Sequence, residues 1–185
     1  MRQSKKTGLR MSVVSLCAIM SSSCAILTPE KQELTDSEAC VKLNELIADH
    51  ANNFKQFRGA RKNSKRTGYM QIWNAERVFP LARNCQIWEW STGLTNYICS
   101  WQPPGELQAQ ASHDKGADII GACLDNKWQS NFVNTQSGGG RTLFYQEGGK
   151  TVISIRYFKE SRTILENWKT ALYVGDESNL DAEVQ

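Results

Sequence analysis

The sequence is poor in the features that most often identify an enzyme or a membrane protein. Its 185 residues contain no apolar run of the 18 or more residues that a membrane-spanning helix needs, which argues against a helical integral membrane protein. Only two histidines are present, and neither belongs to a metal-binding pattern such as HExxH. No two cysteines have the CxxC spacing of redox and zinc sites, and no GxSxG marks a nucleophilic serine. We therefore expect no catalytic, metal or cofactor site.

The excess of positive charge is confined to the N-terminus. The whole chain has a net charge of +3, from 22 basic and 19 acidic residues. The first 23 residues hold four of the bases and none of the acids, which leaves 18 bases against 19 acids and a net charge of −1. The overall charge of the remaining chain therefore gives no support to nucleic-acid binding, and we expect no nucleic-acid partner.

The N-terminal segment has the layout of an export signal. A basic start that ends at Arg10 precedes a ten-residue apolar stretch, Met11–Met20, and small residues follow. This order is typical of a secretory signal peptide, and the apolar stretch is too short to span a bilayer. The alternative is a buried N-terminal helix, but such a helix rarely carries all its charge at one end. We expect residues 1–23 to be a signal peptide.

Cys24 follows three serines, and this segment resembles the signal of bacterial exported lipoproteins. The resemblance implies that Cys24 is acylated, with palmitate or a similar chain, and anchors the protein to a membrane. Ser21 stands where that pattern usually has leucine, so ordinary cleavage near Ser23 or Ala25 is the alternative and would leave a soluble periplasmic or secreted protein. Because Ala25 is not the aspartate that retains enteric lipoproteins at the inner membrane, the resemblance implies an outer-membrane lipoprotein that faces the periplasm.

The rest of the chain is expected to form one domain. Residues 24–35 are polar and are interpreted as a lipid-anchored tether, residues 36–175 as a single α+β domain, and residues 176–185 as an acidic flexible tail. Apolar residues recur at helical spacing over 36–58, before Gly59, and over 106–126.

The strand candidates are short apolar runs separated by turn residues. They are 71–81, 85–91, 95–101, 128–136, 141–147 and 151–158, with 167–174 as a further strand or, alternatively, a helix. A turn at Ser91-Thr92-Gly93, with Gly93 left-handed, pairs Ile87 with Tyr97. The sequence thus predicts an α+β fold in which two helices pack on one face of an antiparallel sheet of about six strands, in the order α-β-β-β-α-β-β-β(β). The two halves have similar lengths but no repeat of individual residues.

Four cysteines remain for disulfides once Cys17 leaves with the signal and Cys24 carries lipid. Four cysteines allow three connectivities, and the sequence alone does not choose among them. The hairpin register places Cys85 opposite Cys99, and antiparallel helices would bring Cys40 close to Cys123. We expect these two pairs, since an exported protein keeps its disulfides.

Two groups of residues are candidates for a binding surface. One is a basic run with no acid among its members, and its residues are Lys55, Arg58, Arg61, Lys62, Lys65 and Arg66. It is either a solvated helix end and loop or a site for an anionic envelope partner, such as phosphorylated lipid headgroups, lipopolysaccharide or an acidic protein patch. The other is the hairpin face with Trp88 and Trp90, which is either sheet cover or a protein or glycan contact surface.

The sequence favours an envelope protein that acts by binding or as a structural module. The alternative within binding is an immunity or inhibitor protein against an envelope-targeting enzyme. The alternative from another class is a periplasmic hydrolase that uses His50 or His113. The simpler interpretation of these two histidines is that both lie at the edge of the core and have a structural role.

Overall fold

The computed structural model describes residues 36–62, 69–80, 82, 84–135, 138–160 and 167–176. The predicted signal peptide, the lipidation site and the tether lie outside these residues, as do 177–185 of the predicted tail. Neither α-helix of the described residues is long and apolar enough to cross a membrane.

The described residues have an α+β fold with two α-helices and one antiparallel sheet of eight strands. In chain order the elements are α1 (Asp36–His50), a 3₁₀ turn (Lys55–Phe57), β1 (Arg58–Arg61), β2 (Met70–Ala75), β3 (Asn84–Trp90), β4 (Thr95–Trp101), α2 (Glu106–Cys123), β5 (Gln129–Asn134), β6 (Gly139–Tyr145), β7 (Val152–Lys159) and β8 (Trp168–Gly175). The α+β class and the antiparallel sheet are as predicted, whereas the expected number of about six strands is too low.

The strand order is symmetrical about the centre of the sheet. The strands lie in the order β1-β2-β3-β4-β8-β7-β6-β5, and every neighbouring pair is antiparallel. Exchanging β1–β4 with β5–β8 reproduces this order in reverse. Each half is one helix followed by a four-stranded meander, and the two halves meet where β4 pairs with β8. The similar lengths of the two halves in the sequence therefore reflect a repeated architecture.

Both helices pack on the same face of the sheet, which we call the helix face. Its central row runs across five strands through residues that face one another in the registers: Ile87, Tyr97, Val174, Ile153 and Phe144. All five are buried, and they form one core with Leu43 and Leu46 of α1 and Ile120 of α2. The close approach of α2 depends on Gly116, where an added Cβ would collide with the Ile155 side chain.

The opposite side of the sheet, which we call the helix-free face, carries neither of the two described α-helices. Its central row is Gln86, Ile98, Tyr173, Ser154 and Leu143, again from directly facing positions. Alternation along β3, β7 and β6 adds further members, because residues two apart share a face. These members are Trp88, Trp90, Arg156, Phe158 and Arg141.

The predicted helix over 36–58 is too long at its C-terminal end. Helix α1 ends at His50, and Asn53 and Phe54 then adopt left-handed conformations with φ of 56° and 55°. Asparagine tolerates this conformation better than most residues, so Asn52-Asn53 ends the helix before Gly59 does. The chain then makes the 3₁₀ turn and enters β1. Gly59 lies within β1, where an added Cβ would stand 3.0 Å from the Asn74 carbonyl oxygen of β2.

The predicted disulfides and hairpin register are confirmed. Cys40 is bonded to Cys123 between the helices, and Cys85 to Cys99 across β3 and β4. The turn also forms as expected, since the Trp90 amide donates to the Leu94 carbonyl and Gly93 has a φ of 85°. The segment 167–174, for which strand and helix were both open, is strand β8.

Candidate binding surface

His50 fastens the end of α1 to the ends of two central strands. Its Nδ1 lies 2.8 Å from the Thr151 hydroxyl, just before β7, and its Nε2 lies 3.4 Å from an Asp176 carboxylate oxygen, just after β8. The same oxygen accepts the Thr95 amide proton at 2.7 Å. In a Ser-His-Asp triad the hydroxyl faces Nε2 and the carboxylate faces Nδ1, so His50 has the opposite arrangement. Asp176, the first residue of the predicted tail, is therefore bonded into the fold.

His113 joins α2 to the sheet in a similar way. Its Nδ1 lies 2.8 Å from an Asp114 carboxylate oxygen, and its Nε2 lies 3.1 Å from the Thr142 hydroxyl on β6. The side chain of His113 is 2% exposed and packs between the rings of Phe132 and Tyr157. The Asp114 side chain is 58% exposed, so the solvated end of this chain is its carboxylate. A hydrolase must present the hydroxyl to its substrate, and this geometry favours a structural role instead.

The described residues contain no cluster of three or more His, Cys, Asp or Glu side chains that could hold a metal ion. The four cysteines among them are consumed by the two disulfides. The described side chains thus offer neither a metal-ligand set nor a free thiol.

The described residues of the predicted basic run have different environments. Arg58 faces inward and donates to the Asn53 carbonyl, pairs with Glu89 at 2.9 Å and stacks over the Trp73 ring at 3.9 Å. Lys55, Arg61 and Lys62 are exposed at the β1 edge of the sheet, and Lys65 and Arg66 lie outside the described residues. Arg58 therefore stabilises the chain around the first meander, and the exposed described members of the run are Arg61 on the edge strand β1, Lys55 in the preceding 3₁₀ turn and Lys62 just after β1.

Trp88 and Trp90 lie together at one end of the helix-free face. Their rings meet edge to face, with centroids 6.2 Å apart, and both side chains are half-buried. The Trp88 indole donates to the Gln86 amide oxygen at 2.9 Å, whereas the Trp90 indole nitrogen has no hydrogen-bond partner among the described residues. The pair therefore presents an aromatic surface with a spare donor.

A second cluster, which sequence reasoning missed, lies near the centre of the same face. We call it the Arg156 cluster, and its members are Arg141, Ser154, Arg156, Phe158 and Tyr173. The Arg156 guanidinium lies over the rings of Phe158 and Tyr173, at 4.6 and 4.4 Å from their centroids, and donates to the Tyr173 hydroxyl. Arg141 stands directly opposite Arg156 on β6, and Ser154 directly opposite Tyr173 on β8.

Two polar atoms of Arg156 and Ser154 are buried without hydrogen bonds to the described residues. They are Nε of Arg156 and Oγ of Ser154. A buried polar atom without a partner costs about 1–3 kcal/mol, and native proteins contain few of them. With the Trp90 indole nitrogen, three buried polar atoms of the helix-free face therefore have no hydrogen-bond partner among the described residues.

The sequence does contain a signal for this cluster. In β7 the buried residues of the helix face, Ile153, Ile155 and Tyr157, are apolar or aromatic, whereas Ser154 and Arg156 alternate with them. A serine and an arginine at the centre of a strand are unusual on a buried sheet. They indicate that this face of β7 contacts polar groups. The partners on β6 and β8 could be identified only from the strand order, which places β7 between them.

Comparison of the chain with protein-family models, with curated proteins and with solved structures finds no match.

Proposed function

We propose that this protein is an exported lipoprotein of the bacterial cell envelope that acts by binding a partner rather than by catalysis. In this proposal Cys24 carries the lipid, the domain faces the periplasm, and the helix-free face is the contact surface. The observation that carries the proposal is the composition of that face, where half-buried tryptophans and a stacked arginine occupy a side of the sheet that no described helix covers.

The composition is unusual for the outer side of a sheet. An antiparallel sheet that packs one face on helices normally presents polar residues to water on the other. Here Trp88, Trp90, Phe158 and Tyr173 alternate with the core residues, and each is half-buried. Tryptophan, tyrosine and arginine are the residues that dominate the binding energy of protein interfaces. A contact surface explains why they are present on this side.

The two disulfides support the proposed location in the periplasm. Structural disulfides persist in oxidising compartments and are rare in the cytosol of mesophiles. The two bonds, Cys40–Cys123 and Cys85–Cys99, agree with a signal peptide at residues 1–23 and with delivery to the periplasm.

Site-specific photocrosslinking in living cells tests this proposal. A photoreactive amino acid would replace Ser100, which is exposed on the helix-free face of β4, and, as a matched control, Gln110, which is exposed on α2. We expect an adduct of one defined mass in the envelope fraction from position 100 and none from position 110. The adduct should also weaken in the Trp88→Ala background, since this change removes part of the contact surface. Adducts from position 110 alone, or none from either position, would contradict the proposal.

A further inference from the structure

We propose that the Arg156 cluster is a phosphate-binding site, which takes a phosphate group of the ligand that the helix-free face binds. The inference rests on the proposed function in assigning binding to this face, and it adds the chemistry of the group that is bound.

The first argument is the charge of Arg156. Two other described cations form ion pairs with acidic side chains. Lys169 of β8, on the same face, lies 2.7 Å from Glu160, and Arg58 lies 2.9 Å from Glu89. Arg156 has no such ion pair among the described residues, and its described contacts are two aromatic rings and one hydroxyl. A half-buried guanidinium whose described contacts are neutral attracts an anion more strongly than one in water does, because the local dielectric is low.

The second argument is the unused donors beside that charge. Nε of Arg156 and Oγ of Ser154 are buried and have no acceptor among the described residues. The guanidinium is a rigid fork that matches the oxygens of phosphate in pairs, and a serine hydroxyl is a further donor. Stacking between Phe158 and Tyr173 fixes the plane of this fork, so little conformational freedom is lost when it binds.

The third argument selects phosphate over carboxylate. The donors come from residues on both β7 and β8, since Tyr173 stands directly opposite Ser154 and its hydroxyl bonds to Arg156. Arg141 places a second guanidinium on β6, directly opposite Arg156. Donors from more than one residue suit the several oxygens of a tetrahedral anion, whereas a planar carboxylate is satisfied by one fork.

The experiment follows the side-chain Nε–Hε resonance of Arg156 in ¹⁵N-labelled, disulfide-bonded protein. The resonance is assigned by its loss in Arg156→Gln. The probes, at constant ionic strength, are inorganic phosphate, acetate and dihexanoyl phosphatidic acid below its micelle concentration. We expect saturable shifts with inorganic phosphate and with the lipid, and weaker or no shifts with acetate. Equal affinity for the two phosphates indicates recognition of the phosphate group alone, and tighter binding of the lipid indicates a headgroup with part of its acyl chains. Both results support the proposal.

The variants separate this site from general attraction to positive charge. Arg156→Gln should weaken phosphate binding about ten- to a hundredfold, the effect of removing charge-assisted hydrogen bonds. In all variants the titration follows the backbone amide resonances of Ser154 and Tyr173, because Arg156→Gln lacks the side-chain resonance. Arg61→Gln makes the same charge change on the exposed edge strand β1 and should leave the affinity within about twofold. Tyr173→Phe retains the ring and should weaken binding less than Arg156→Gln does.

Three results would overturn the proposal: no shift of the Arg156 resonance with either phosphate, a response to acetate that exceeds the response to phosphate, or equal losses in Arg156→Gln and Arg61→Gln. The wild-type titration decides the first two even if a variant fails to fold. Adducts from position 100 without phosphate binding would retain the contact face and reject only the phosphate. Phosphate binding without adducts from position 100 would retain the phosphate site and reject the proposed contact with a partner.

Discussion

Tyr97 holds the segment between β2 and β3 on the helix face through one buried hydroxyl. The hydroxyl donates to the Arg77 carbonyl at 2.7 Å and accepts the Phe79 amide proton at 2.8 Å, and the residue is 0% exposed. Burial raises the pKa of this hydroxyl well above its usual value of 10.0, and the Phe79 amide only partly opposes the effect. The folded chain therefore keeps a proton that an unfolded chain releases at alkaline pH.

This difference makes stability depend on pH. We expect stability to fall as the pH rises above about 10, because unfolded tyrosines then ionise while folded Tyr97 stays protonated. Tyr97→Phe should cost about 1–3 kcal/mol at pH 8, through the Phe79 amide left without its hydroxyl. At pH 10.5 the gap to wild type should shrink, since the variant lacks the pH-dependent loss. Urea titrations measure both gaps, with Tyr145→Phe, at an exposed tyrosine that ends β6, as the control. A gap that widens with pH would show that this account is wrong.

At the scale of the element, the features that could be predicted from the sequence are those with local information. The β3–β4 hairpin follows from alternation and from Gly93, which supplies the left-handed residue of the turn. The disulfide Cys85–Cys99 then follows from the register. The end of α1 could not be predicted in this way, because apolar spacing continues through Phe54 and Phe57 and both are buried. Apolar spacing records burial, and a turn can bury the same residues as a helix.

Strand β1 and the Arg156 cluster depend on contacts that are distant in the sequence. The four residues Arg58–Arg61 have no apolar alternation, and they form a strand because their backbone pairs with β2. The Arg156 cluster combines β6, β7 and β8, whose neighbours are set by the meander. Of this cluster, the sequence indicates only the residues of β7, through the alternation of polar and apolar residues along that strand.

The two disulfides should differ in their contribution to stability. Cys40–Cys123 closes a separation of 83 residues between the helices, and Cys85–Cys99 closes one of 14 within a hairpin. Loop-closure entropy predicts about 4.5 kcal/mol for the first and about 3 kcal/mol for the second. Replacing each pair by alanines and measuring urea unfolding tests this order. A greater loss for the hairpin pair would mean that packing around Cys85 and Cys99, which are 1% and 0% exposed, outweighs chain entropy.

At the scale of the whole molecule, the two meanders share one core. The pairing of β4 with β8 places Tyr97 beside Val174 and Cys99 beside Leu172, and all four residues are buried. The end of β8 approaches β4 closely, and an added Cβ at Gly175, whose φ is 150°, would collide with the Thr95 carbonyl oxygen. His50, Asp176 and the helix disulfide link the halves again. The described domain should therefore unfold as a unit.

The covalent state of the whole chain tests its export. Intact mass of the protein from a membrane fraction should correspond to a chain that starts at Cys24 and carries acyl groups, with four thiols that appear only after reduction. The Cys24→Ala variant should lose the acyl mass and leave the membrane fraction. An unmodified chain that starts near Ala25 would mean a soluble periplasmic or secreted protein. An uncleaved chain with free thiols would remove the export proposal.

The symmetrical strand order also determines the order in which contacts can form while the chain is synthesised from its N-terminus. Cys85 and Cys99 can meet as soon as their hairpin is complete, but Cys40 must wait for a partner 83 residues later. Strand β4 gains its second neighbour last, because β8 is the last strand of the described chain to appear. Until then the inner edge of β4 carries unpaired amides and carbonyls. The sheet is therefore completed only when the last described strand has been made.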